Sequence, residues 1–394
     1  MSHLLLACRL EEVCVGRALN ACFPPIEPAF HAEINDPLVA GLIPWPEGRK
    51  AKWVNDQADE QLENFVQILE GEGIKVVRPD PVDHYKKIQA PNWSVNTMYC
   101  TTCPRDVMIT IGTVILEATM SKRGRFFEYL PYRNLVRDYW RRDPNMLWKA
   151  APKPSMDDSM YWEGFWAIPE KDRWARMHDY NFCVTNEEPV FDAADITRCG
   201  KDIFVQESMT TNKAGIQWLT RELQGHVRVH AVHFPYDLHP SHIDCTFVPL
   251  RPGLVLTNKE RPIGEGEDVM FKENDWKFVD AGMPSELNYP MPAFCQSSKW
   301  LAMNLLSLSE KVVVCEENEK AGIQVLEDLG FDVIAIPYRK VFEFGGSIHC
   351  STWDVRRADT CKDYFPNQVC CRPSRPCALH RRLPLPLPYQ LLEM

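Results

Sequence analysis

A cysteine that follows a pair of glycines is the first candidate for chemistry in this sequence. Cys350 ends the segment Gly-Gly-Ser-Ile-His-Cys at 345–350. Paired glycines let the backbone approach a ligand closely, and a thiol beside such a site can act as a nucleophile. Because a thiol in an apolar segment is usually structural, this segment alone leaves both roles open.

A histidine and an aspartate stand two residues apart at 242–244. On an extended chain, His242 and Asp244 project to the same side, while Ile243 and Cys245 face the opposite layer. A histidine beside a carboxylate can work as a general base, although a structural His–Asp contact is about as frequent. The spacing therefore predicts a functional pair without excluding a structural one.

Three further carboxylates lie near the ends of predicted strands. Asp192 and Asp195 enclose two alanines, and the alternative interpretation is a helix N-terminus with Asp192 as the cap. Asp106 follows Pro104 and Arg105, where the alternative is an exposed turn ion pair that contributes little. One thiol, one imidazole and several carboxylates together suit attack by the thiolate on a planar, positively charged carbon. The central carbon of the arginine guanidinium is such a carbon.

The elements that must position these residues repeat one plan of helix, glycine and strand. Apolar residues at helical spacing precede Gly71 and Gly73, then Gly225, and then Gly330, and a short apolar strand follows each time. Hairpins are predicted to turn at Gly112 and at Gly253. The repetition indicates an α/β array of similar modules, and a closed ring is favoured over a solenoid. Residues 120–166 show no clean period and are predicted to form loops and short helices on the outside.

Composition limits the function classes. The 394 residues are 45% hydrophobic and 25% charged, which predicts a globular chain with a full core. A net charge of −10 argues against a nucleic-acid or anionic membrane partner and suits a cationic small substrate. No apolar run reaches the roughly 18 residues of a membrane span, and no signal peptide is evident, so a cytoplasmic location is expected.

The cysteines and the C-terminal segment complete this survey. The 15 cysteines are an odd number spread along the chain, which predicts reduced thiols. The Cys-x-x-Cys pair at 100–103 has no second motif at zinc-site spacing, so no metal is expected. From 369 onward the chain is rich in Pro, Cys and Arg without apolar periodicity. Residues 1–368 are therefore predicted to form the folded domain, and residues 369–394 a disordered tail.

Five segments of this sequence resemble the amidinotransferase family, best known from the arginine:glycine amidinotransferases. They are Glu-Pro-Val-Phe-Asp-Ala-Ala-Asp at 188–195, His-Ile-Asp-Cys-Thr-Phe at 242–247, Pro-Gly-Leu-Val-Leu-Thr-Asn-Lys-Glu-Arg-Pro at 252–262, Ser-Ser-Lys-Trp at 297–300 and His-Cys-Ser-Thr-Trp-Asp-Val-Arg-Arg at 349–357. The resemblance implies a five-bladed α/β propeller, the pentein fold, built of ββαβ modules. It also implies transfer of the amidino group of L-arginine to an amine through a covalent amidino-cysteine, with ornithine released and no metal or organic cofactor. Family members are often dimeric, which leaves a homodimer open.

The resemblance also implies a role for each matching residue. Cys350 matches the nucleophile, His242 the general acid and base, and Asp192 its catalytic partner. Two residues match positions that grip the guanidinium: Asp106 and Asp244. Three match positions that contact the substrate carboxylate or backbone groups: Arg261, Ser297 and Ser298.

Departures from the family pattern concern the acceptor. Ser241 and His239 replace a methionine and an asparagine of the glycine-using animal enzymes. A smaller Ser241 would admit an acceptor bulkier than glycine, as in the cyanobacterial and dinoflagellate enzymes of guanidino-toxin pathways to saxitoxin and cylindrospermopsin. The acceptor is therefore expected to be glycine or a larger amine. Two alternatives stay open, an arginine deiminase-like hydrolase and an inactive arginine-binding protein.

Overall fold

The computed structural model describes residues 8–33, 46–162, 164–165, 168–235, 242–286, 298–358 and 361–368. The strands in these ranges are β1 (Leu10–Val15), β2 (Lys75–Val77), β3 (Ile88–Gln89), β4 (Ser94–Val95), β5 (Met108–Ile111), β6 (Val114–Glu117), β7 (Leu147–Ala150), β8 (Ile196–Cys199), β9 (Asp202–Gln206), β10 (Arg228–Val232), β11 (Phe247–Arg251), β12 (Leu254–Thr257), β13 (Lys277–Asp280), β14 (Leu306–Ser307), β15 (Val312–Glu316), β16 (Asp332–Ile336) and β17 (Thr352–Arg357). The α-helices are α1 (Pro28–Glu33), α2 (Lys52–Gly71), α3 (Pro104–Val107), α4 (Arg133–Arg142), α5 (Glu170–His178), α6 (Lys213–Glu222), α7 (Val269–Lys272), α8 (Lys320–Asp328) and α9 (Arg339–Phe342).

Five three-stranded sheets share one strand pattern. Their orders are β17-β1-β2, β5-β6-β7, β8-β9-β10, β11-β12-β13 and β14-β15-β16. In each sheet the middle strand pairs antiparallel on one side and parallel on the other. The parallel neighbour is reached through a helix, because parallel strands need a crossover connection. These are the predicted ββαβ modules, and their number is that of the predicted five-bladed propeller.

The first module joins the two ends of the described chain. Strand β17 pairs antiparallel with β1, so a strand from near residue 357 completes a sheet begun at residue 10. This pairing closes the series of modules, as a ring requires and an open solenoid does not. It also fixes the segment just before β17, which carries Cys350.

The predicted helix, glycine and strand plan is confirmed in three modules. The chain turns after α2 at Gly73 (φ 77°), after α6 at Gly225 (φ 86°) and after α8 at Gly330 (φ 81°). Positive φ is the left-handed conformation that glycine adopts without a steric penalty, so the helix can stop and the strand can begin within a few residues.

Two local expectations are wrong. The backbone at Ile243–Cys245 forms a 3-10 turn instead of an extended strand end, and strand β11 starts two residues later. The short helices expected within residues 120–166 are present, but the segment is not wholly external, since α4 and β7 belong to the second module. The inner face of α4 buries Val136 and Tyr139, which are too few positions to reveal a helical period beside so many arginines.

Other expectations fall partly outside the described residues. The predicted tail at 369–394 and the first seven residues are not described, so the domain boundary at 368 stays a prediction. Within the described ranges, no helix is both long and apolar enough to cross a bilayer.

Candidate active site

Cys350 lies in a tight turn that leads into β17, and its side chain is 2% exposed. Asn304 holds it twice: the Cys350 backbone N–H donates to Asn304 Oδ1 at 2.9 Å, and Asn304 Nδ2 donates to Cys350 Sγ at 3.1 Å. A Cβ at Gly346 would lie 2.7 Å from the Cβ of Cys350. Only glycine fits there, because a side chain at 346 would collide with Cys350. The close approach of a ligand to the paired glycines stays a prediction.

His242 faces two buried carboxylates. Its Nε2 lies 3.4 Å from Asp192 Oδ2 and its Nδ1 lies 3.8 Å from Asp106 Oδ1. Burial by itself would lower the pKa of His242, but the charges of Asp106, Asp192 and Asp195 outweigh burial and raise that pKa to about 10. His242 is therefore an imidazolium at neutral pH and is suited to donate a proton.

Asp244 lies on the thiol side of the site. Its Oδ2 is 3.6 Å from Cys350 Sγ and 2.7 Å from His349 Nδ1. Burial would raise the pKa of Asp244, but the hydrogen bond from His349 holds it below its usual range. Although residues 243–245 form a turn, Asp244 and His242 still lie at the same site. His242 faces Asp192 and Asp106, whereas Asp244 faces Cys350 and His349.

The Cys350 thiol is protonated at rest. Its pKa lies well above the ordinary thiol value because the side chain is buried and because the carboxylates of Asp244 and Asp106 disfavour a second negative charge. A cation bound between these carboxylates would offset their negative charge and so lower the pKa of Cys350.

The carboxylate of Asp192 is not a helix cap. Residues Ala193–Asp195 form a single 3-10 turn, and the Asp192 side chain makes no capping hydrogen bond. Asp195 instead accepts hydrogen bonds from four side chains, those of Gln206, Ser208, Thr210 and Thr211. The turn thus leaves Asp192 to face His242 while a hydrogen-bonded Asp195 lies behind it.

The segment 104–106 is buried, so the interpretation as an exposed ion pair is wrong. Arg105 Nη2 donates to Asp354 Oδ1 at 2.6 Å and to Thr352 Oγ1 at 2.9 Å, and Arg105 Nε reaches His349 O at 3.3 Å. Arg198 also donates to Asp354 at 2.6 Å. This buried network ties the start of β17 and the residue before Cys350 to α3, which carries Asp106.

Arg125 is a site residue that the sequence reasoning missed. Its Nη1 lies 2.8 Å from Asp106 Oδ2 and 3.8 Å from Asp192 Oδ2, and its Nε donates to Glu128 at 2.8 Å. Sequence reasoning also missed Glu128, Asn304 and His349. Asn304 and His349 have partners distant in sequence, while Arg125 and Glu128 lie in a segment without hydrophobic periodicity. The sequence signal for Arg125 and Glu128 was a basic and an acidic residue three positions apart within an aromatic run.

The remaining predicted residues differ in their placement. Ser298 lines the cleft and caps the turn Lys299–Met303 by accepting from Trp300 N–H at 3.1 Å. Arg261 is 7% exposed and is not among the described residues that line the cleft. Its Nε donates to Pro235 O at 2.8 Å and its Nη1 to Thr246 Oγ1. Three predicted residues lie outside the described ranges: Ser297, Ser241 and His239.

The site opens into a cleft of about 1000 Å³, including space open to solvent. Asp106, Asp192 and His242 line it. One atom from each of Asp106, His242 and Cys350 forms a group within 4.8 Å, the spacing of a metal site. An imidazolium has no lone pair for a metal, so the raised pKa of His242 opposes metal binding there at neutral pH.

The fold and the site define an α/β enzyme in which a buried thiol lies beside a cleft lined by an imidazolium and carboxylates. No protein-family model matches the chain. Glycine amidinotransferase, mitochondrial, of Danio rerio is 40% identical over 357 residues, which cover 90% of this chain and 82% of that protein. The L-arginine:L-lysine amidinotransferase of Pseudomonas savastanoi pv. phaseolicola is 38% identical over 364 residues, 90% of this chain and 94% of that protein.

A solved structure agrees with these relatives. SxtG, an amidinotransferase from Microseira wollei in the saxitoxin biosynthetic pathway, superposes with a TM-score of 0.81 at 35% identity. The match covers 92% of this chain and 99% of SxtG. This chain belongs to the amidinotransferase family.

Proposed function

We propose that this protein transfers the amidino group of L-arginine to an acceptor amine through a covalent amidino-Cys350 intermediate and releases ornithine. One observation carries the proposal: beside the thiol, Asp106 Oδ1 and Asp192 Oδ1 are buried and have no hydrogen-bond partner among the described residues. Buried carboxylate oxygens without donors are costly, and an arginine guanidinium brings five N–H donors in a planar fork. Such a ligand would satisfy both oxygens and present its central carbon to the thiol.

Binding of the guanidinium prepares the nucleophile. Its positive charge offsets the carboxylates of Asp244 and Asp106, which otherwise raise the pKa of Cys350, so the thiol loses its proton to solvent. The thiolate adds to the guanidino carbon and a C–S bond forms. The bond from that carbon to the ornithine nitrogen breaks as His242 donates its proton to the departing amine. Asp192 and Asp106 keep His242 charged until this transfer.

The second half of the reaction reverses these roles. After ornithine leaves, the neutral His242 accepts a proton from the acceptor amine, whose nitrogen then attacks the amidino carbon. The C–S bond breaks, Cys350 returns as a thiolate, and the new guanidino compound departs. This is a ping-pong scheme in which the donor and the acceptor occupy the cleft in turn.

The acceptor is proposed to be glycine or a larger amine of a guanidino-toxin pathway of the saxitoxin or cylindrospermopsin type. Support comes from the relatives, whose names assign glycine, lysine and a saxitoxin pathway to proteins of this family. Ser241 and His239 remain the predicted selectivity residues, and Ser297, Ser298 and Arg261 the predicted substrate contacts. A homodimer and a cytoplasmic location also remain predictions, although several relatives are named mitochondrial.

A product assay tests this proposal. The purified protein is incubated with arginine and each of a panel of amines, and ornithine, citrulline and new guanidino compounds are quantified. Ornithine equal to a new guanidino compound would support the transferase. Continuous citrulline without an acceptor would show a hydrolase, and no product with any amine would leave an arginine-binding protein.

A further inference from the structure

Asn304 is a buried residue that contacts the proposed nucleophile and has no role in the chemistry described above. It is 1% exposed and follows the turn Lys299–Met303 on the way to β14. Among the residues that the structure describes, it is the one whose side chain donates a hydrogen bond to Cys350 Sγ, from Nδ2 at 3.1 Å.

Hydrogen-bond chemistry fixes which end of the Asn304 amide faces the sulfur. The backbone N of Cys350 lies 2.9 Å from Asn304 Oδ1. A backbone N–H can only donate, so the amide oxygen must face it and the NH2 group must face the sulfur. The same NH2 group reaches Cys245 Sγ at 3.6 Å, which is a longer and weaker contact. The shorter of its two bonds is thus directed at the proposed nucleophile.

The backbone of Asn304 is also held on both sides. Its N–H donates to Leu301 O at 3.0 Å, and its carbonyl oxygen accepts from the backbone N–H of His349 at 3.1 Å. The second bond joins Asn304 to the residue before Cys350. Because the donor is already in place, it needs no rearrangement when negative charge develops on the sulfur, and preorganised donors stabilise such charge most effectively.

Burial and the nearby carboxylates oppose the ionisation of Cys350. Burial raises the pKa of the thiol most, and the charges of Asp244 and Asp106 raise it further. A hydrogen bond donated to the sulfur acts in the opposite direction, because it favours the charged form. The amide of Asn304 is therefore placed where the thiolate needs a donor.

We propose that Asn304 is a catalytic residue that stabilises the Cys350 thiolate through its Nδ2–H donor. The catalytic role rests on the proposed amidino transfer, whereas the effect on the thiol does not. In the first half of the reaction the donor favours the thiolate that attacks the guanidino carbon. In the second half the C–S bond breaks, its electron pair returns to the sulfur, and the same donor stabilises the departing thiolate.

The test uses three substitutions that share the loss of the donor. Asn304→Asp keeps the acceptor for the Cys350 N–H, whereas Asn304→Ala and Asn304→Leu introduce no charge. Asn304→Leu fills a similar space, so that a failure of Asn304→Ala to fold leaves the test intact. Thermal unfolding of each variant identifies those that fold. Alkylation of Cys350 by iodoacetamide, which reacts with thiolates, is followed by peptide mass spectrometry at mildly alkaline pH without arginine.

Two controls separate ionisation of the thiol from access of the reagent. Cys103 is the internal reference, because it lines the same cleft and its sulfur contacts the carbonyl oxygen of Phe344 at 4.0 Å. Asn55→Ala is the matched control variant, since Asn55 is a buried residue of α2 that donates to Ala21 O at 3.4 Å. Its alkylation ratio should equal that of the wild type.

We expect the Asn304 variants to lower the alkylation rate of Cys350 relative to Cys103 by about three- to tenfold. The lost hydrogen bond raises the pKa of the thiol and lowers the thiolate fraction, while the higher nucleophilicity of a less acidic thiolate offsets part of this loss. Decay of amidino-Cys350 on addition of an acceptor amine should also slow, because the thiolate is the leaving group.

An unchanged ratio in the folded, uncharged variants would show that Asn304 only holds the loop before β17, and would overturn the proposal. A loss confined to Asn304→Asp would be an effect of the added charge and would overturn it as well. Absence of an amidino adduct in the wild type would refute the proposed function and with it the catalytic role, while a lowered alkylation ratio would still support the effect on the thiol.

Discussion

Two histidines lie near Cys350, His242 partly buried and His349 buried, and their pKa values shift in opposite directions. His242 faces the carboxylates of Asp106 and Asp192, and its pKa rises to about 10. His349 contacts Asp244, but burial and the nearby charge of Arg105 lower its pKa. Burial acts in the same direction on both rings, so the sign of each shift is decided by the neighbouring charges.

This difference separates their roles. A protonated His242 can donate to a leaving amine, whereas a neutral His349 can only orient Asp244 through its Nδ1 hydrogen bond. A histidine next to a nucleophile in sequence, as His349 is, need not be the proton donor. The predictions below test this assignment from the largest expected effect to the smallest.

The first prediction removes the thiol that is the proposed nucleophile. Cys350→Ser should lower ornithine formation by at least about a thousandfold, because a hydroxyl in this setting is a far weaker nucleophile than a thiolate. Steady-state assays with a sensitive ornithine readout measure this. Thermal unfolding should be close to that of the wild type, since the substitution nearly conserves volume. Near-normal turnover in this variant would mean that the reaction does not pass through Cys350.

The second prediction contrasts the two rings directly. His242→Asn should slow ornithine release by about a hundred- to ten-thousandfold through loss of the general acid. His349→Asn should slow it by only about tenfold, because it removes one hydrogen bond to Asp244. Single-turnover release of ornithine from each variant provides the comparison. A larger defect in His349→Asn than in His242→Asn would reverse the assigned roles.

The third prediction concerns pH. Because the pKa of His242 is raised, its acid form is present below about pH 10 and is lost as the pH rises through that value. The rate of ornithine release at limiting arginine, which reports the pKa of the free enzyme, should therefore decline above about pH 10. In Asp106→Asn one charge that raises this pKa is gone, so the decline should begin at lower pH.

The control for the pH experiment is Asp56→Asn, which changes an exposed carboxylate on α2. Its pH profile should coincide with that of the wild type. An unshifted alkaline limb in Asp106→Asn would show that another group carries the proton.

The fourth prediction concerns Arg125 and stability. Replacement by Gln leaves Asp106 and Glu128 buried without their cation, which should lower the free energy of unfolding by about 3–5 kcal/mol. Chemical denaturation measures the loss. Lys153→Gln is the comparison, since Lys153 is partly exposed and donates to the carbonyl oxygens of Ala118 and Thr119. A loss of less than about 1 kcal/mol for Arg125→Gln would contradict the buried ion-pair interpretation.

The parts of the fold that local patterns control were predictable from the sequence. Helical spacing followed by glycine marked α2, α6 and α8, because periodicity and a left-handed stop are properties of consecutive residues. The turn at Ile243–Cys245 was missed because an alternating polar and apolar pattern over four residues suits a strand as well as a turn.

The residues of the candidate site also divide into those that the sequence could predict and those that it could not. Cys350, His242 and Asp192 stand in motifs that a family resemblance can match residue by residue. Asn304 and Arg125 do not, since their importance comes from contacts across modules, such as the hydrogen bond between Asn304 and Cys350. The opposite pKa shifts of His242 and His349 depend on three-dimensional charge placement and have no signature in local sequence.

Intact-protein mass spectrometry after mixing with arginine alone tests the central claim most directly. The account predicts one added amidino group per chain on Cys350, one equivalent of ornithine and no citrulline, with the adduct absent in Cys350→Ser. Continuous citrulline production, or ornithine release without a mass increase, would contradict a stable amidino-cysteine and with it the proposed transfer.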